Sequence, residues 1–292
     1  MRHKLVSSEL SIEVNEIGIE LSSIKSNHTN AEYIWQGNPN IWKGQAPVLF
    51  PIIGALKDGN TMILGKKYEM PKHGLVRNST KPKLIGKTDT TLRFRFSWNQ
   101  ETMRNYPFKF QLDILFTLEN KTLKVEHIIS NLGEEAMFYS IGAHPGFNCP
   151  LKDGEEYEDY FVEFDQKETD STWLVEENGL IGLDQKLVLN NTDKLPLNKN
   201  LFDNDALIFK NLKSRKVSLS HKSRGSILSV KFDDFNYLGI WAKPGAPFVC
   251  IEPWLGIGDS INSNQKIEEK DGILKLEPHQ SDSKSYEITI LD

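Results

Sequence analysis

Residues 92–129 read LRFRFSWNQETMRNYPFKFQLDILFTLENKTLKVEHII, and this stretch decides the fold class. Apolar side chains occupy every second position across residues 92–98, 108–118 and 123–129, except that His127 takes one place in the third run. A period of two residues is typical of β-strands that bury one face. Asn120 and Lys121 separate the second and third runs, so these two strands are predicted to form a hairpin.

The same two-residue period recurs along most of the chain. It is found at residues 10–14, 19–21, 217–221, 228–232, 237–242 and 286–290. Helical spacing is predicted only at residues 99–106, where Pro107 would end a short helix. Many strands joined by short turns, without a break in composition, predict an all-β chain: a large antiparallel β-sandwich or barrel in one domain of residues 1–292.

Composition and charge exclude several classes of function. The chain has 35 Lys and Arg against 40 Asp and Glu, a formal net charge of -5, so neither nucleic acid nor a membrane is expected as a partner. The sequence shows neither the apolar core of a signal peptide nor an apolar run long enough to cross a bilayer. Its two cysteines, Cys149 and Cys250, are predicted to be free thiols, as is usual in a reducing compartment. The expected location is therefore cytoplasmic. Phosphate-loop, dinucleotide and zinc-protease motifs are missing, and no cofactor is expected.

Residues 248–259 read FVCIEPWLGIGD and place a carboxylate within an apolar strand. Pro253 cannot donate to a β-ladder, and Gly256 permits a tight loop, so the strand is predicted to end at Glu252. A carboxylate in such surroundings is costly unless it is paired or used in chemistry. An ordinary edge-strand glutamate with a salt-bridge partner remains the alternative on this stretch alone.

Two histidines have neighbours that suggest a role in chemistry. His73 opens the segment HGLVRN, and His144 follows the apolar run MFYSIG and precedes Pro145. Histidine titrates near pH 6.5 and glutamate near about 4.3, so with Glu252 they form a candidate acid/base set at neutral pH. Turn histidines bonded to the backbone remain the alternative. A His/His/Glu zinc site is disfavoured by the wide spacing of its ligands, so no metal is expected.

Five motifs then carry a resemblance to a known family. They are HGLVR at 73–77, Tyr-Pro-Phe at 106–108, GAHPGFN at 142–148, NDALIF at 204–209 and CIEPWLGIGDS at 250–260. In order and spacing the chain resembles aldose 1-epimerases, most closely the bacterial LacX-like branch of the galactose mutarotase-like superfamily. The resemblance covers essentially the whole chain. It implies a galactose mutarotase-like β-supersandwich that interconverts the α and β anomers of an aldohexose.

The resemblance also implies roles for individual residues. Glu252 would be the general base and His144 the general acid. His73 and Arg77 would contact the sugar, as would Asp205, with Asp203 as the second choice for that acid. Phe147 and Trp254 would form stacking walls, and Trp42 a more remote one.

Departures from the family pattern bear on the substrate. Residues 45–57 lack the arginine that galactose mutarotases carry and offer only Lys57, and Arg77 has no evident cationic companions for a phosphate. The expected partner is an unphosphorylated monosaccharide, bound by a monomer or homodimer. Two alternatives stay open: a non-catalytic carbohydrate-binding protein of the same fold, and a glycoside hydrolase using Glu252 and Asp205 as its carboxylate pair.

Overall fold

The computed structural model describes residues 1–176 and 178–292 and consists mainly of strands. The strands are β1 Arg2–Val6, β2 Leu10–Asn15, β3 Glu20–Ser26, β4 Val48–Leu49, β5 Asn60–Ile63, β6 Lys66–Glu69, β7 Lys83–Lys87, β8 Thr91–Ser97, β9 Phe110–Glu119, β10 Thr122–Asn131, β11 Met137–Tyr139, β12 Ile141–Ala143, β13 Gly146–Asn148, β14 Tyr160–Val175, β15 Ile181–Pro196, β16 Leu207–Phe209, β17 Lys216–His221, β18 Gly225–Lys231, β19 Tyr237–Trp241, β20 Phe248–Leu255, β21 Leu274–Leu276 and β22 Ser281–Ile290. Short 3₁₀ turns lie at Ile17–Ile19, Lys57–Gly59, Thr102–Arg104, Tyr157–Asp159 and Ile267–Glu269.

Two antiparallel sheets dominate the part of the chain that the structure describes. The larger has the strand order β15-β14-β17-β18-β22-β10-β9-β8-β7. The other has the order β16-β19-β20-β12-β4, and β13 also pairs with β20. Inward side chains of both sheets belong to one apolar cluster, in which the rings of Phe50 and Phe110 are 5.2 Å apart and those of Phe164 and Phe209 are 6.2 Å apart. The predicted all-β class is therefore confirmed.

The hairpin predicted from residues 92–129 is present. Strands β9 and β10 pair in register from Glu119 opposite Thr122 to Phe110 opposite Asn131, and β8 pairs with the other edge of β9. Burial alternates residue by residue along β8 and β10, as the two-residue period predicted. Asn120 adopts the positive φ of 50° that the tight turn needs, a conformation that asparagine tolerates better than most residues.

Two local features of the structure differ from what the sequence predicted or were missed by it. Residues 99–106 form only the 3₁₀ turn Thr102–Arg104, because the chain must bring Tyr106 inward, where its hydroxyl donates to the Phe138 carbonyl at 2.6 Å. The long hairpin β14–β15 was not predicted, since its strands are polar and shift register several times, which hides a regular period. No helix among the described residues has the length and apolar character needed to cross a membrane.

A buried histidine on β10 makes stability depend on pH. His127 is fully buried and stacks on Tyr286 at 5.9 Å, and burial lowers its pKa to about 4. The unfolded chain keeps a value near 6.5, so it takes up the proton first as the pH falls. The free energy of unfolding that neutral His127 contributes is fully present above about pH 6.5. It is lost as the pH falls through about 4, by an amount on the order of 3 kcal/mol.

Replacing this histidine tests the sign of the effect. His127→Phe keeps an aromatic ring beside Tyr286 but removes the titrating group. Urea unfolding at pH 7 and pH 4.5 should show that the variant loses less free energy of unfolding than the unmodified chain. Equal losses in the two proteins would contradict the assignment, because all other titrating groups are common to both.

Candidate active site

A cavity of about 450 Å³ brings together most of the predicted site residues. Its floor is formed by Glu252 and Trp254 of β20, and the β14–β15 hairpin contributes Val175 and Ile181 to a wall. Strand alternation explains the floor, because residues 250, 252 and 254 point to one face of β20 while Val249 and Ile251 point to the core on the other. The cavity therefore opens onto the one face of this strand that carries a carboxylate.

His144 and Glu252 are in direct contact within this cavity. His144 Nε2 lies 3.2 Å from Glu252 Oε2, and the two side chains are 12% and 1% exposed. β12 ends at Ala143, so His144 follows a strand end, as predicted. β20 does not end at Glu252, however. It continues through Pro253 to Leu255, because β19 and β12 flank it on both sides and pair with this segment.

Aromatic rings hold the imidazole of His144 in place. Trp42 stacks on it with ring centroids 5.1 Å apart, and Trp241 meets it edge-on at 5.6 Å. Trp42 was predicted as a remote wall and Trp241 was not predicted. Ring packing on two sides leaves the imidazole little freedom, so its Nε2 stays directed toward Glu252.

Burial makes the two groups a coupled pair. It raises the pKa of Glu252 well above its ordinary value, and nearby Asp205 raises it further, while Lys72 opposes the change. It lowers the pKa of His144 to about 3. Both directions favour a pair without net charge, since a low-dielectric site penalises an isolated charge of either sign. The pair then carries one exchangeable proton, on either the carboxyl group or the imidazole.

His73 lies at the side of this pair, with its ring 5.8 Å from that of His144. Its Nδ1 accepts the N–H of Gly54 at 3.2 Å, which leaves the proton of the neutral ring on Nε2. Burial, together with His144, Lys72 and Arg77, lowers the pKa of His73 well below its ordinary value. His73 is therefore a neutral hydrogen-bond donor placed beside the His144–Glu252 pair.

Gly74 permits the backbone turn that positions His73. It has φ +80°, and a Cβ added there would lie 2.2 Å from the Phe50 carbonyl oxygen.

Gly74→Ala should lower the free energy of unfolding by about 3 kcal/mol or more, because the Phe50 carbonyl must move in addition to the strain of a left-handed backbone. Gly65→Ala is the matched control. Gly65 has φ +75° with nothing within 4 Å of the added Cβ, so only about 1–2 kcal/mol is expected in urea unfolding. Equal losses would contradict the packing argument.

The remaining predicted residues are divided between cavity and core. Arg77, Trp254, Asp203 and Asp205 line the cavity, and both aspartates are exposed, so the choice of Asp205 stays a prediction. Phe147 does not serve as a face for a sugar, because it is 0% exposed. It pairs opposite Val249, whose side chain points to the core rather than to the Glu252 face.

Two lysines in the cavity were missed by sequence reasoning. Lys72 and Lys243 line it together with Arg77, which corrects the expectation that Arg77 has no cationic companions. Lys72 directly precedes the HGLVR motif and could have been found there. Lys243 follows β19, whose position next to β20 becomes known only from the sheet order.

A buried ion pair holds the segment after β20 against the cavity. Lys270 Nζ lies 2.7 Å from Asp259 Oδ1, with the side chains 2% and 3% exposed, and Asp259 also accepts the N–H of Lys57. Gly258 and Gly54 pack so closely that a Cβ on Gly54 would lie 2.6 Å from Gly258 Cα. These contacts join the His73 segment to the end of β20, so both sides of the cavity are anchored together.

Comparison with known proteins identifies the family. Residues 1–270 match the sequence profile of the family described as aldose 1-epimerase. The chain belongs to the aldose 1-epimerase family. Within this family it is 38% identical, over the full length of both chains, to the plasmid-encoded protein LacX of Lactococcus lactis subsp. lactis. The predicted resemblance to the LacX-like branch is confirmed.

Solved structures show the same fold for this aldose 1-epimerase family member. A galactose mutarotase related enzyme from Lactobacillus acidophilus is 32% identical with a TM-score of 0.94, covering 100% of this chain and 98% of the other. A galactose mutarotase-like protein from Lactobacillus casei ATCC 334 is 25% identical with a TM-score of 0.93, covering both chains fully. The predicted galactose mutarotase-like β-sandwich is thereby confirmed.

Proposed function

We propose that this chain is an aldose 1-epimerase that interconverts the α and β anomers of an aldohexose by acid/base ring opening and closure. The observation that carries the proposal is the 3.2 Å contact between His144 Nε2 and Glu252 Oε2 on the floor of a cavity with room for a pyranose. A purely binding site would not need a buried acid/base pair, which is costly to keep in a low-dielectric interior.

The reaction needs one proton accepted and one donated. Glu252 takes the proton of the anomeric hydroxyl while His144 gives a proton to the ring oxygen, and the C1–O5 bond breaks to leave an open-chain aldehyde. Rotation about C1–C2 presents the other face of the carbonyl. Ring closure reverses both proton transfers, so the pair ends as it began.

The pair has the same proton count before and after ring opening. It begins with an anionic carboxylate and a cationic imidazole and ends with a neutral carboxyl group and a neutral imidazole, so no proton is exchanged with solvent. Burial favours the neutral form, and hydrogen bonds from sugar hydroxyls to the carboxylate favour the charged one. Because burial and the sugar hydroxyls act in opposite directions, the charged and the neutral forms of the pair stay close in energy. A reversible proton transfer requires such a small energy difference.

Neighbouring residues would hold the sugar. Neutral His73 would donate from Nε2 to a sugar oxygen, Arg77 and Asp205 would bind hydroxyls near the mouth, and the ring of Trp254 would cover an apolar face of the pyranose. Because these groups sit around the His144–Glu252 pair, they would place the anomeric carbon against it.

This pairing predicts an unusual pH profile. Binding of a second proton to the pair would make His144 cationic beside a neutral Glu252. This step is displaced to low pH, because the pKa of His144 is lowered to about 3. Loss of the shared proton is opposed by the raised pKa of Glu252. We expect kcat/KM to stay constant within about twofold as the pH is lowered from about 7 through about 6.5 to about 5.5, and to fall only as the pH approaches the lowered value of His144. An acid limb near pH 6.5, the ordinary histidine value, would contradict this.

Polarimetry of freshly dissolved sugars tests the proposal. α-Glucose, α-galactose and a hexose phosphate should be followed with and without protein, since Lys72, Arg77 and Lys243 make the phosphate comparison informative. Acceleration of at least one approach to anomeric equilibrium is expected. Sugar binding without acceleration would favour the binding protein, and release of phenol from aryl glycosides would favour the hydrolase.

A further inference from the structure

A cysteine thiol lies beside the acid/base pair. Cys250 precedes Glu252 by two residues on β20 and points to the same face. One donor atom each of His144, Cys250 and Glu252 lie within 4.8 Å of one another. Gly146 is paired opposite Cys250, and a Cβ there would come within 3.4 Å of the sulfur, so the strand packing leaves the thiol little room to turn away.

We propose that His144, Cys250 and Glu252 form a binding site for a thiophilic divalent cation, Zn²⁺ in the first instance, whose occupancy blocks the acid/base pair. Imidazole, thiolate and carboxylate are the three ligand types that zinc takes in proteins. This set differs from the His/His/Glu arrangement considered from the sequence, because the structure puts the sulfur of Cys250 within 4.8 Å of the donor atoms of His144 and Glu252.

The donor geometry is close to that of a zinc site. The 3.2 Å between His144 Nε2 and Glu252 Oε2 matches an edge of about 3.3 Å in a tetrahedron with bonds of about 2.0–2.1 Å. A nitrogen-to-sulfur edge would be about 3.6 Å and the donor atoms are at most 4.8 Å apart, so a shift of no more than about 1 Å brings the sulfur into range. The Glu252 side chain is only 1% exposed and its Oε2 contacts His144 Nε2, so an ion placed between these two atoms would be bound by both.

Charge balance supports occupancy of this buried position. Binding releases the thiol proton of Cys250 and the exchangeable proton of the His144–Glu252 pair to solvent, and leaves neutral imidazole, thiolate and carboxylate around the ion. Two ligand negative charges cancel the charge of Zn²⁺, so the occupied site has no net charge. His144 and Glu252 line the cavity, so a water or a sugar hydroxyl from the cavity would complete the tetrahedron.

A bound ion would stop proton transfer. The metal would occupy both the Nε2 lone pair of His144 and an oxygen of Glu252, so neither group could accept or donate the proton that ring opening needs. The inhibition rests on the proposed epimerase function, whereas the binding itself does not. A chelator should restore the activity.

Cobalt titration tests the binding independently of activity. Reduced, chelator-treated full-length protein is titrated with Co²⁺, which reports a thiolate ligand by charge-transfer absorption in the near ultraviolet. We expect one such site per chain, kept in Cys149→Ser and lost in Cys250→Ser. Cys149 is the matched control because it is also a free, buried cysteine. No charge-transfer band, or an unchanged band in Cys250→Ser, would overturn the proposal.

Two further measurements keep the test decisive. Glu252→Gln retains the thiol but removes a proposed ligand, and should weaken Co²⁺ binding by about 100-fold or more. Substitution of a residue that only supports a metal ligand already lowers metal affinity about 10–100-fold. This variant replaces Cys250→Ser in the test if Cys250→Ser does not fold. Zn²⁺ should inhibit the unmodified chain and Cys149→Ser at least about tenfold more strongly than Cys250→Ser, each compared with its own metal-free rate. A cobalt band without zinc inhibition would overturn the blocking role. A band in a protein without epimerase activity would instead remove the proposed function.

Discussion

Glu252→Gln is expected to lower kcat/KM for anomer interconversion by roughly 10²–10⁴-fold while leaving sugar binding within about threefold. Glutamine has nearly the shape of a protonated glutamate but cannot accept the anomeric proton. The folded state should survive, because Glu252 is 1% exposed and a neutral amide does not have the desolvation penalty of a buried carboxylate. Polarimetry gives the rate after subtraction of the spontaneous reaction, and sugar-titrated tryptophan fluorescence gives the binding.

Glu168→Gln is the matched control for this variant. Glu168 is also buried, at 2% exposure, but its carboxylate accepts the N–H groups of Lys213 and Ser214 and does not line the cavity. Its substitution should change stability and leave kcat/KM unaltered. Near-normal turnover by Glu252→Gln would defeat the assignment of Glu252 as the base.

His144→Asn is expected to produce a loss of similar size, because ring opening needs the proton that His144 gives to the ring oxygen as much as the one that Glu252 accepts. Asparagine is neutral and does not titrate, so it cannot supply a proton to the ring oxygen. The double variant with Glu252→Gln should lose no more than about tenfold beyond the worse single variant, since residues that act as a unit are not additive. Multiplicative losses would show that the two residues act in separate steps.

His127→Gln controls for the loss of a buried imidazole. His127 is fully buried on β10 and stacks on Tyr286, outside the acid/base pair. Its substitution should affect stability without lowering kcat/KM. Comparison of the two histidine variants therefore separates an effect on chemistry from an effect on folding.

Strands β8, β9 and β10 of the larger sheet could be predicted, because one face of each is buried and most side chains of the other are partly exposed. Alternation along β8, β9 and β10 is visible in the sequence for that reason. β20 is buried on both faces, so its end could not be found by periodicity, and Pro253 gave a misleading stop signal. The single domain of residues 1–292 stays a prediction.

Within the site, motif residues were easier to predict than walls. His144 and Glu252 stand out because each interrupts an apolar stretch, and the structure brings them together. Trp241 and Lys243 became evident only once β19 was seen beside β20. Phe147 was misassigned because its place in a motif says nothing about the face on which it lies, and register placed it in the core.

Exchange NMR on an aldohexose at anomeric equilibrium tests the central claim most directly, because it detects the conversion itself without a net change in concentration. Saturating the α-anomeric proton should reduce the β-anomeric signal in proportion to the amount of unmodified protein. In Glu252→Gln the transfer should vanish while the sugar lines still broaden on binding. Transfer that persists in this variant, or no transfer with the unmodified chain for any aldose that it binds, would contradict the account.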